Sequence, residues 1–362
     1  EYLCSEAMYY LGVPTTRALS LITTGEEVVR DMMYDGNAAP EKGAVVCRLS
    51  SSFVRFGHFQ MLAAREELDL LREFTDFVIR REFPHLDNLV AETKGTYIAW
   101  FEEVCDRTAD LMVEWMRVGF VHGVMNTDNM AISGETIDYG PCAFMDTYNP
   151  KTVFSSIDKL GRYSFSNQPP ITKWNLARLA ECLIPVIDKN EDVAIKIATK
   201  TMDNFQNIYE TKWLNMMRDK LGLFGEDQND LKLINNLLNW MESNQADYTN
   251  TFCHLMKIDS SNDSKFENIN FINWLKVWEN RILINNGSKE KSINLMKKTN
   301  PTIIPRNHKV EEALKNANEN NFQNLKDILN IIKKPYLNNE NLKEYKKPAI
   351  LNGIKYQTFC GT

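Results

Sequence analysis

The chain lacks the features that would indicate a disulfide scaffold, a zinc site or nucleic-acid binding. Its 362 residues include seven cysteines and five histidines, with no CxxC pair and no histidine cluster at metal-binding spacing. The formal net charge is −6, and no long basic stripe is present, so we expect no nucleic-acid partner. The scattered cysteines favour reduced, mostly buried thiols in a reducing compartment.

Long apolar runs are also absent. No segment approaches the roughly 18 consecutive apolar residues of a membrane-spanning helix, and the first residues show no basic head before an apolar core. We therefore expect no membrane association and no visible signal peptide. The chain begins with Glu1 in what looks like the middle of an amphipathic helix, so we expect an upstream segment. A bacterial cytoplasmic location is favoured, or a mitochondrial one if the protein is eukaryotic.

The residues that are present describe an ordinary folded protein with an α+β pattern. Hydrophobic residues make up 43% and charged residues 25% of the chain. A helical pattern ends at Gly12, and extended segments follow at Arg17 to Ile22, Glu27 to Arg30 and Ala44 to Leu49. The first 60 residues are therefore predicted to hold part of a small sheet. Beyond Ala63 the period is helical, most strongly from Tyr97 to Val118.

Polar residues crowd together where this long helix ends. The segment from His122 to Asn129 reads HGVMNTDN. Two short apolar segments follow on either side of Gly134 and Glu135, a pair typical of a tight turn. We predict a hairpin here, which would return Asp138 to a position beside Asn129.

The spacing of these residues suits a metal-nucleotide site. Magnesium that carries nucleotide phosphates prefers a few carboxylate or amide oxygens. Protein kinases provide them through an HxDxxxxN loop and a following DFG motif. Here His122 and Asn129 keep the loop spacing, and Asp138 begins a DYG sequence in the place of DFG.

One departure from the kinase pattern changes the predicted mechanism. The position of the usual catalytic base is Val124, which cannot accept a proton. Asp128, directly before Asn129, is the candidate base for a bound hydroxyl. An alternative is that both motifs are polar turns whose Asp and Asn side chains only satisfy loop backbone groups.

These motifs resemble those of a known family. His122 to Met130 (HGVMNTDNM) and Thr136 to Pro141 (TIDYGP) are similar to the signature of selenoprotein O, the YdiU family of protein adenylyltransferases. The resemblance also includes CRLSSSFVRFGHF within residues 43–59 and GRYSF at 161–165. It continues more weakly to the C-terminal region and covers nearly the whole chain.

The resemblance implies specific roles for the motif residues. Asp128 would be the proton acceptor, and Asn129 and Asp138 would bind Mg²⁺ or Mn²⁺, with Asp138 also contacting ATP. The family's redox-linked cysteines lie after DYGP and near the C-terminus. Cys360 is retained, as cysteine and not selenocysteine, and its pairing with Cys142 is conceivable.

Further roles fall on the N-terminal segment. Arg48 and Arg55 match the family's arginines that grip the nucleotide phosphates, a task suited to the guanidinium fork. Glu6 matches the helix glutamate that pairs with a nucleotide-binding lysine, although Glu1 is close enough to be an alternative. Without the resemblance, the arginines could equally be exposed strand charges.

The resemblance implies a protein-kinase-like, two-lobed fold. We expect a truncated N-lobe at 1–60, a C-lobe with the catalytic loop at 61–190, and a helical extension at 191–362. The expected function is transfer of AMP from ATP to Ser, Thr or Tyr hydroxyls of protein substrates with release of pyrophosphate. The alternatives are a catalytically silent, nucleotide-binding pseudokinase that acts as an interaction module, and true phosphoryl transfer.

Overall fold

The structure is a computed structural model that describes residues 1–32, 35–87, 93–258, 263–285, 287–349 and 356–359. Its first element is helix α1 (Tyr2–Tyr10). The helix is followed by Gly12, whose φ of +80° favours glycine and turns the chain away from the helix axis. The predicted opening helix is confirmed.

Two antiparallel strands follow, β1 (Arg17–Arg30) and β2 (Ala39–Leu49). Ile22 pairs with Val45, and the register shifts between Thr23 and Glu27. Gly25 lies in that irregular stretch with a φ of +80°. The two extended segments that we predicted in this region therefore form one irregular strand.

Strand β2 ends at Leu49, as predicted, and helix α2 then occupies Phe56–Ala64. Phe56, Phe59 and Leu62 share one face of α2 and are all buried. Three helices follow along the chain: α3 (Leu68–Glu82), α4 (Pro84–Asp87) and α5 (Thr93–Val118). Helix α5 confirms the long core helix that the sequence predicted, and its Trp100 and Trp115 are almost completely buried.

After α5 the chain forms the short strand β3 (Phe120–Val121), which pairs antiparallel with β4 (Ala143–Phe144). The predicted hairpin between these strands is wrong. Gly134 does lie in a turn, but the residues on its two sides pair elsewhere: Ala131 bridges to Arg55, and Thr136 bridges to Thr15. These pairings satisfy the backbone of both sides against other segments, so a local hairpin does not form.

From Gln168 onward the described chain is mainly helical, as predicted. Its helices are α6 (Gln168–Ile187), α7 (Glu191–Lys220), α8 (Asp230–Ser243), α9 (Tyr248–Leu255), α10 (Ile269–Arg281), α11 (Lys289–Thr299), α12 (Asn307–Asn318), α13 (Gln323–Ile332) and α14 (Lys343–Lys346). Within the described ranges, no helix is long and apolar enough to cross a bilayer.

Buried apolar residues form three clusters. The largest cluster contains residues of α1, α2, α3, α5, α6 and part of α7. The second cluster contains residues from the end of α5 and from each of the helices α7, α8, α9, α10 and α11. A small third cluster packs Leu3 and Ala7 of α1 against α12 and α13. Helix α1 is thus held between the largest core and the C-terminal helices. The division at residues 60 and 190 stays a prediction.

Candidate active site

The polar loop begins at the end of β3 and finishes in a short 3₁₀ turn at Thr127–Asn129. The Asn126 side chain caps this turn by accepting a hydrogen bond from the Asp128 backbone N–H at 3.1 Å. The Asn129 N–H donates to the Asn126 carbonyl at 3.0 Å. The turn leaves the Asp128 side chain exposed, so a bound hydroxyl could reach its carboxylate.

His122 is the first residue of this loop and is fully buried. Its Nε2 donates to the Ile137 carbonyl at 2.8 Å, and its Nδ1 accepts from the Val124 N–H at 3.4 Å. The ring stacks on Trp115 with centroids 5.2 Å apart, and burial lowers the pKa of His122. His122 is therefore a neutral connector between the loop and the residue that precedes Asp138.

Asp138 has a left-handed backbone conformation, with a φ of +66°. This conformation is uncommon outside glycine, although Asp tolerates it better than most residues. Both neighbours are anchored: Ile137 by His122, and Tyr139 by its N–H, which donates to Glu1 Oε2 at 2.9 Å. Anchors on both sides hold the unusual conformation in place.

The two motifs are brought together by the β3–β4 pair and by close packing of Gly123 on Pro141. A Cβ at Gly123 would lie 2.7 Å from the Pro141 carbonyl oxygen, so only glycine fits there. The HGVMNTDN and DYG segments are therefore in contact through strands and not through a local hairpin, and the placement of Asp138 beside Asn129 stays a prediction.

Asn129 and Asp138 offer oxygens that suit a hard cation. The Asn129 amide nitrogen donates to the Val124 carbonyl at 3.0 Å, which leaves Oδ1 as the atom able to bind a metal. None of the described side chains donates a hydrogen bond to the half-buried Asp138 carboxylate. The described residues form no cluster of three or more His, Cys, Asp or Glu ligands. Two protein oxygens, with phosphate and water, fit Mg²⁺ better than a zinc cage.

Arg55 lies beside the polar loop, because the start of α2 is hydrogen-bonded to that loop. The Phe56 N–H donates to the Met130 carbonyl at 2.9 Å, and the Thr127 hydroxyl donates to Gln60 Oε1 at 2.7 Å. The Arg55 Nε–H is buried without an acceptor among the described residues. A buried, unpaired donor on a cation is costly unless an anion completes it, so Arg55 fits a phosphate ligand.

Gly57, in the first turn of α2, permits this close approach. A Cβ built on Gly57 would overlap Asp128 Oδ1. The glycine therefore lets the helix lie directly against the candidate base.

The remaining N-terminal candidates separate into two groups. Arg48 is exposed on β2, and its guanidinium contacts Glu1 Oε1 at 3.4 Å. Glu6 instead binds Arg17 through two bonds of 2.8 Å and also accepts from the Ala18 N–H at 3.2 Å. Glu1, which was the alternative to Glu6, is thus the glutamate that contacts both the DYG backbone and a candidate phosphate arginine.

Cys142 is buried and lies beside Cys4 of α1. Its thiol donates to the Tyr139 carbonyl at 3.5 Å, and the neighbouring Cys142 thiol lowers the pKa of Cys4. Cys360 lies outside the described residues, so its conceivable pairing with Cys142 stays a prediction.

Three residues at the site were not singled out from the sequence: Gly57, His58 and Gln168. Gln168 is fully buried, accepts from the His122 N–H and donates to the Phe120 carbonyl, both at 2.9 Å. Gln168 is the first residue of α6, and its two hydrogen bonds hold β3 in place. No local sequence pattern reveals a contact between residues so far apart in the chain. Gly57 and His58 lie inside the FVRFGHF segment, and their position next to Arg55 in the sequence could have marked them as candidate site residues.

The segment contains a candidate base, two side-chain oxygens that suit a hard cation and an arginine that suits a phosphate, a set of residues compatible with a nucleotide-dependent transferase. Comparison with known proteins makes this assignment specific. The family model described as "Protein adenylyltransferase SelO" matches residues 1–333. The chain belongs to this family of protein adenylyltransferases.

Its relatives include three bacterial proteins that carry the name "Protein nucleotidyltransferase YdiU". The chain is 49% identical to the protein from Pelagibacter ubique, 47% to that from Clostridium perfringens and 44% to that from Nitrosococcus oceani. Each alignment covers 100% of this chain and 73%, 72% and 71% of the respective relative. The predicted family and its nucleotidyltransferase activity are confirmed.

Proposed function

We propose that the chain transfers AMP from ATP to Ser, Thr or Tyr hydroxyls of protein substrates, and that it does so within a protein-kinase-like, two-lobed fold. The observation that carries the proposal is the arrangement of the DYG segment: Asp138 is held in a left-handed conformation, and none of the described side chains donates a hydrogen bond to its carboxylate. A helix, a strand pair, a catalytic loop and then a helical region follow the order expected of such a fold.

Each candidate residue has a role in the proposed reaction. The acceptor hydroxyl attacks the α-phosphorus, its proton passes to the Asp128 carboxylate, and the bond to the β-phosphate oxygen breaks so that pyrophosphate leaves. Arg48 and Arg55 offset the charge on the phosphates. Asn129 and Asp138 would hold Mg²⁺ or Mn²⁺, which when bound supplies further charge neutralisation. Val124 remains the reason why an ordinary kinase mechanism is disfavoured.

Two further parts of the proposal follow from the chemistry and the relatives. ATP is the co-substrate, and the bacterial origin of the relatives together with this dependence on ATP supports a cytoplasmic location. The net charge of −6 supports protein substrates over nucleic acid.

The proposal is tested by incubating the protein with Mg²⁺ and ATP labelled at either the α- or the γ-phosphate, and by measuring label retained on protein. We expect retention from the α position only. Asp138→Ala and Asp138→Asn should both abolish it, and Asn keeps the side-chain shape and tolerates the left-handed backbone. Asp128→Asn should slow transfer by about 10²- to 10⁴-fold while ATP still binds.

Other outcomes identify the alternatives. Label from the γ position alone would establish phosphoryl transfer and refute AMP transfer. Binding of ATP without label from either position would favour the silent pseudokinase.

A further inference from the structure

His58 occupies the third position of α2 and faces back toward Arg55. Its Nδ1 accepts a hydrogen bond from the Arg55 backbone N–H at 3.0 Å. A backbone N–H can only donate, so Nδ1 must be the unprotonated nitrogen. The neutral ring therefore carries its hydrogen on Nε2.

None of the described residues offers an acceptor to that hydrogen. The Nε2 atom lies 3.4 Å from Arg55 Nη2, but guanidinium nitrogens only donate, so the two groups cannot bond each other. The Arg55 Nε–H is also buried and without an acceptor among the described residues. The Nε–H of Arg55 and the Nε2–H of His58 thus lie close together, and the described residues offer neither of them an acceptor.

The surroundings keep the ring neutral and in place. Burial lowers the pKa of His58, the charge of Arg55 lowers it further, and the nearby Asp128 carboxylate opposes this only in part. Phe74 packs edge-on against the ring with centroids 6.4 Å apart. A fixed, neutral donor beside a guanidinium is an arrangement that an anionic oxygen completes.

We propose that His58 is a nucleotide-binding residue, and that its Nε2–H donates to the same phosphate group that Arg55 binds. This inference rests on the proposed use of ATP as co-substrate. It explains why His58 Nε2 and Arg55 Nη2, both donors, are held 3.4 Å apart. This arrangement costs free energy in the unliganded protein, and a bound phosphate oxygen would offset that cost.

The experiment compares three variants by calorimetric titration with Mg·ATP and, separately, with adenosine. His58→Leu removes both nitrogens and keeps apolar packing on Phe74. His58→Gln places an acceptor and a donor about as far apart as the two ring nitrogens, so it can replace both contacts. His85→Leu is the matched control, because the His85 side chain is 56% exposed and lies in α4.

We expect His58→Leu to weaken ATP binding by roughly 10- to 100-fold, the value of one charge-assisted hydrogen bond, and to leave adenosine binding unchanged. His58→Gln should recover most of the affinity, and His85→Leu should bind like the parent protein. Equal losses for ATP and adenosine would show a packing role, and an unchanged ATP affinity would remove His58 from the site. Either result overturns the inference.

These outcomes are independent of the transfer reaction. If the parent protein binds ATP and His58→Leu weakens that binding, the inference holds even where no labelled AMP reaches protein. If transfer occurs but His58→Leu has no effect on ATP affinity, the inference fails and the proposed function stands.

Discussion

At the scale of single residues, the polar loop is shaped by side chains that have no role in the proposed transfer reaction. Asn126 caps the turn that presents Asp128, His122 fixes the residue before Asp138, and Gly57 leaves room for the Asp128 carboxylate. A general base must lie within hydrogen-bond reach of the proton that it removes from the acceptor hydroxyl. The position proposed for Asp128 as base therefore depends on the lack of a side chain at Gly57.

Gly57→Ala should therefore impair catalysis without unfolding the protein. Alanine is a good helix former, but its Cβ would overlap Asp128 Oδ1 and displace the base. A displacement of about 1 Å can cost roughly 100-fold in rate, so we expect kcat to fall by about that factor. The measurement is initial rate against ATP concentration, together with a melting curve.

Gly95→Ala provides the control, because a Cβ there would meet no atom within 4 Å. A Gly57→Ala protein with an unchanged kcat would show that Asp128 can move aside without loss.

Much of the site was predictable at this scale, because spacing within one short segment carries the information. The proposed roles of Asp128, Asn129 and Asp138 came from motif spacing and stay predictions. The left-handed conformation of Asp138 could not be predicted, since it depends on anchors from His122 and Glu1 that are distant in sequence. The contact of Glu1 with the DYG backbone could not be predicted for the same reason, and the role of Glu6 stays a prediction.

At the scale of elements, α1 is tied to β1 by one ion pair. Glu6 is 8% exposed and accepts two hydrogen bonds from Arg17 and one from the Ala18 N–H. The hydrogen bond from Arg17 lowers the pKa of Glu6 below its ordinary value of 4.5. The helix that carries Glu1 thus depends on Glu6 for its orientation, and Glu6 contributes to the site indirectly.

This ion pair should make stability depend on pH. Because the folded-state pKa of Glu6 is depressed, its contribution is fully present above the unfolded value of 4.5 and is lost as pH falls through the folded value. We expect Glu6→Gln to lower the free energy of unfolding by about 1–2 kcal/mol at neutral pH. The difference from the parent protein should vanish in acid.

Urea denaturation at several pH values measures this effect, and the exposed Glu41→Gln serves as the control. A difference between Glu6→Gln and the parent protein that stayed constant into acid would show that the pair contributes no charge-dependent stability.

Elements were predicted well where apolar residues recur with the helical period over many residues and so form one buried face, as in α5. The hairpin at Gly134 was predicted wrongly, because turn residues mark a reversal but not the partner of each side. Ala131 and Thr136 pair with segments far away in sequence, and that choice is made by burial of Ile132 and Ile137.

At the scale of the whole molecule, Arg306 joins the segment after the DYG motif to the C-terminal helices. It is 1% exposed and forms ion pairs of 2.6 Å with Asp146 and 2.7 Å with Asp247. The same guanidinium donates to Asn250 Oδ1 at 3.2 Å and to the Lys346 carbonyl at 2.9 Å. Removal of Arg306 would leave two buried carboxylates without a counter-charge.

Arg306→Met should accordingly lower the free energy of unfolding by about 3–5 kcal/mol. Lys347→Met is the control, because its ion pair with Glu344 is exposed and its removal should change stability by about 0.5 kcal/mol or less. Thermal and urea unfolding of the two variants measure the difference. Equal stability of the two variants would show that the buried network is energetically neutral.

Arg306 lies in a segment that resembles the family, but its pairing with Asp146 could not be predicted, since the two residues are 160 positions apart. Helix positions could be predicted from local period, but the packing of α12 and α13 on α1 depends on contacts between the ends of the chain.

The separation of Asp146 from Arg306 also has a consequence for biosynthesis. A ribosome that adds about 5–20 residues per second needs roughly 10–30 s to pass from one to the other. Throughout that interval the nascent chain already contains every residue of the catalytic loop, but the cation that neutralises Asp146 has not been made. The segment that follows Asp138 therefore gains its Arg306 anchor only late in translation, and premature termination before Arg306 would leave Asp146 without that ion pair.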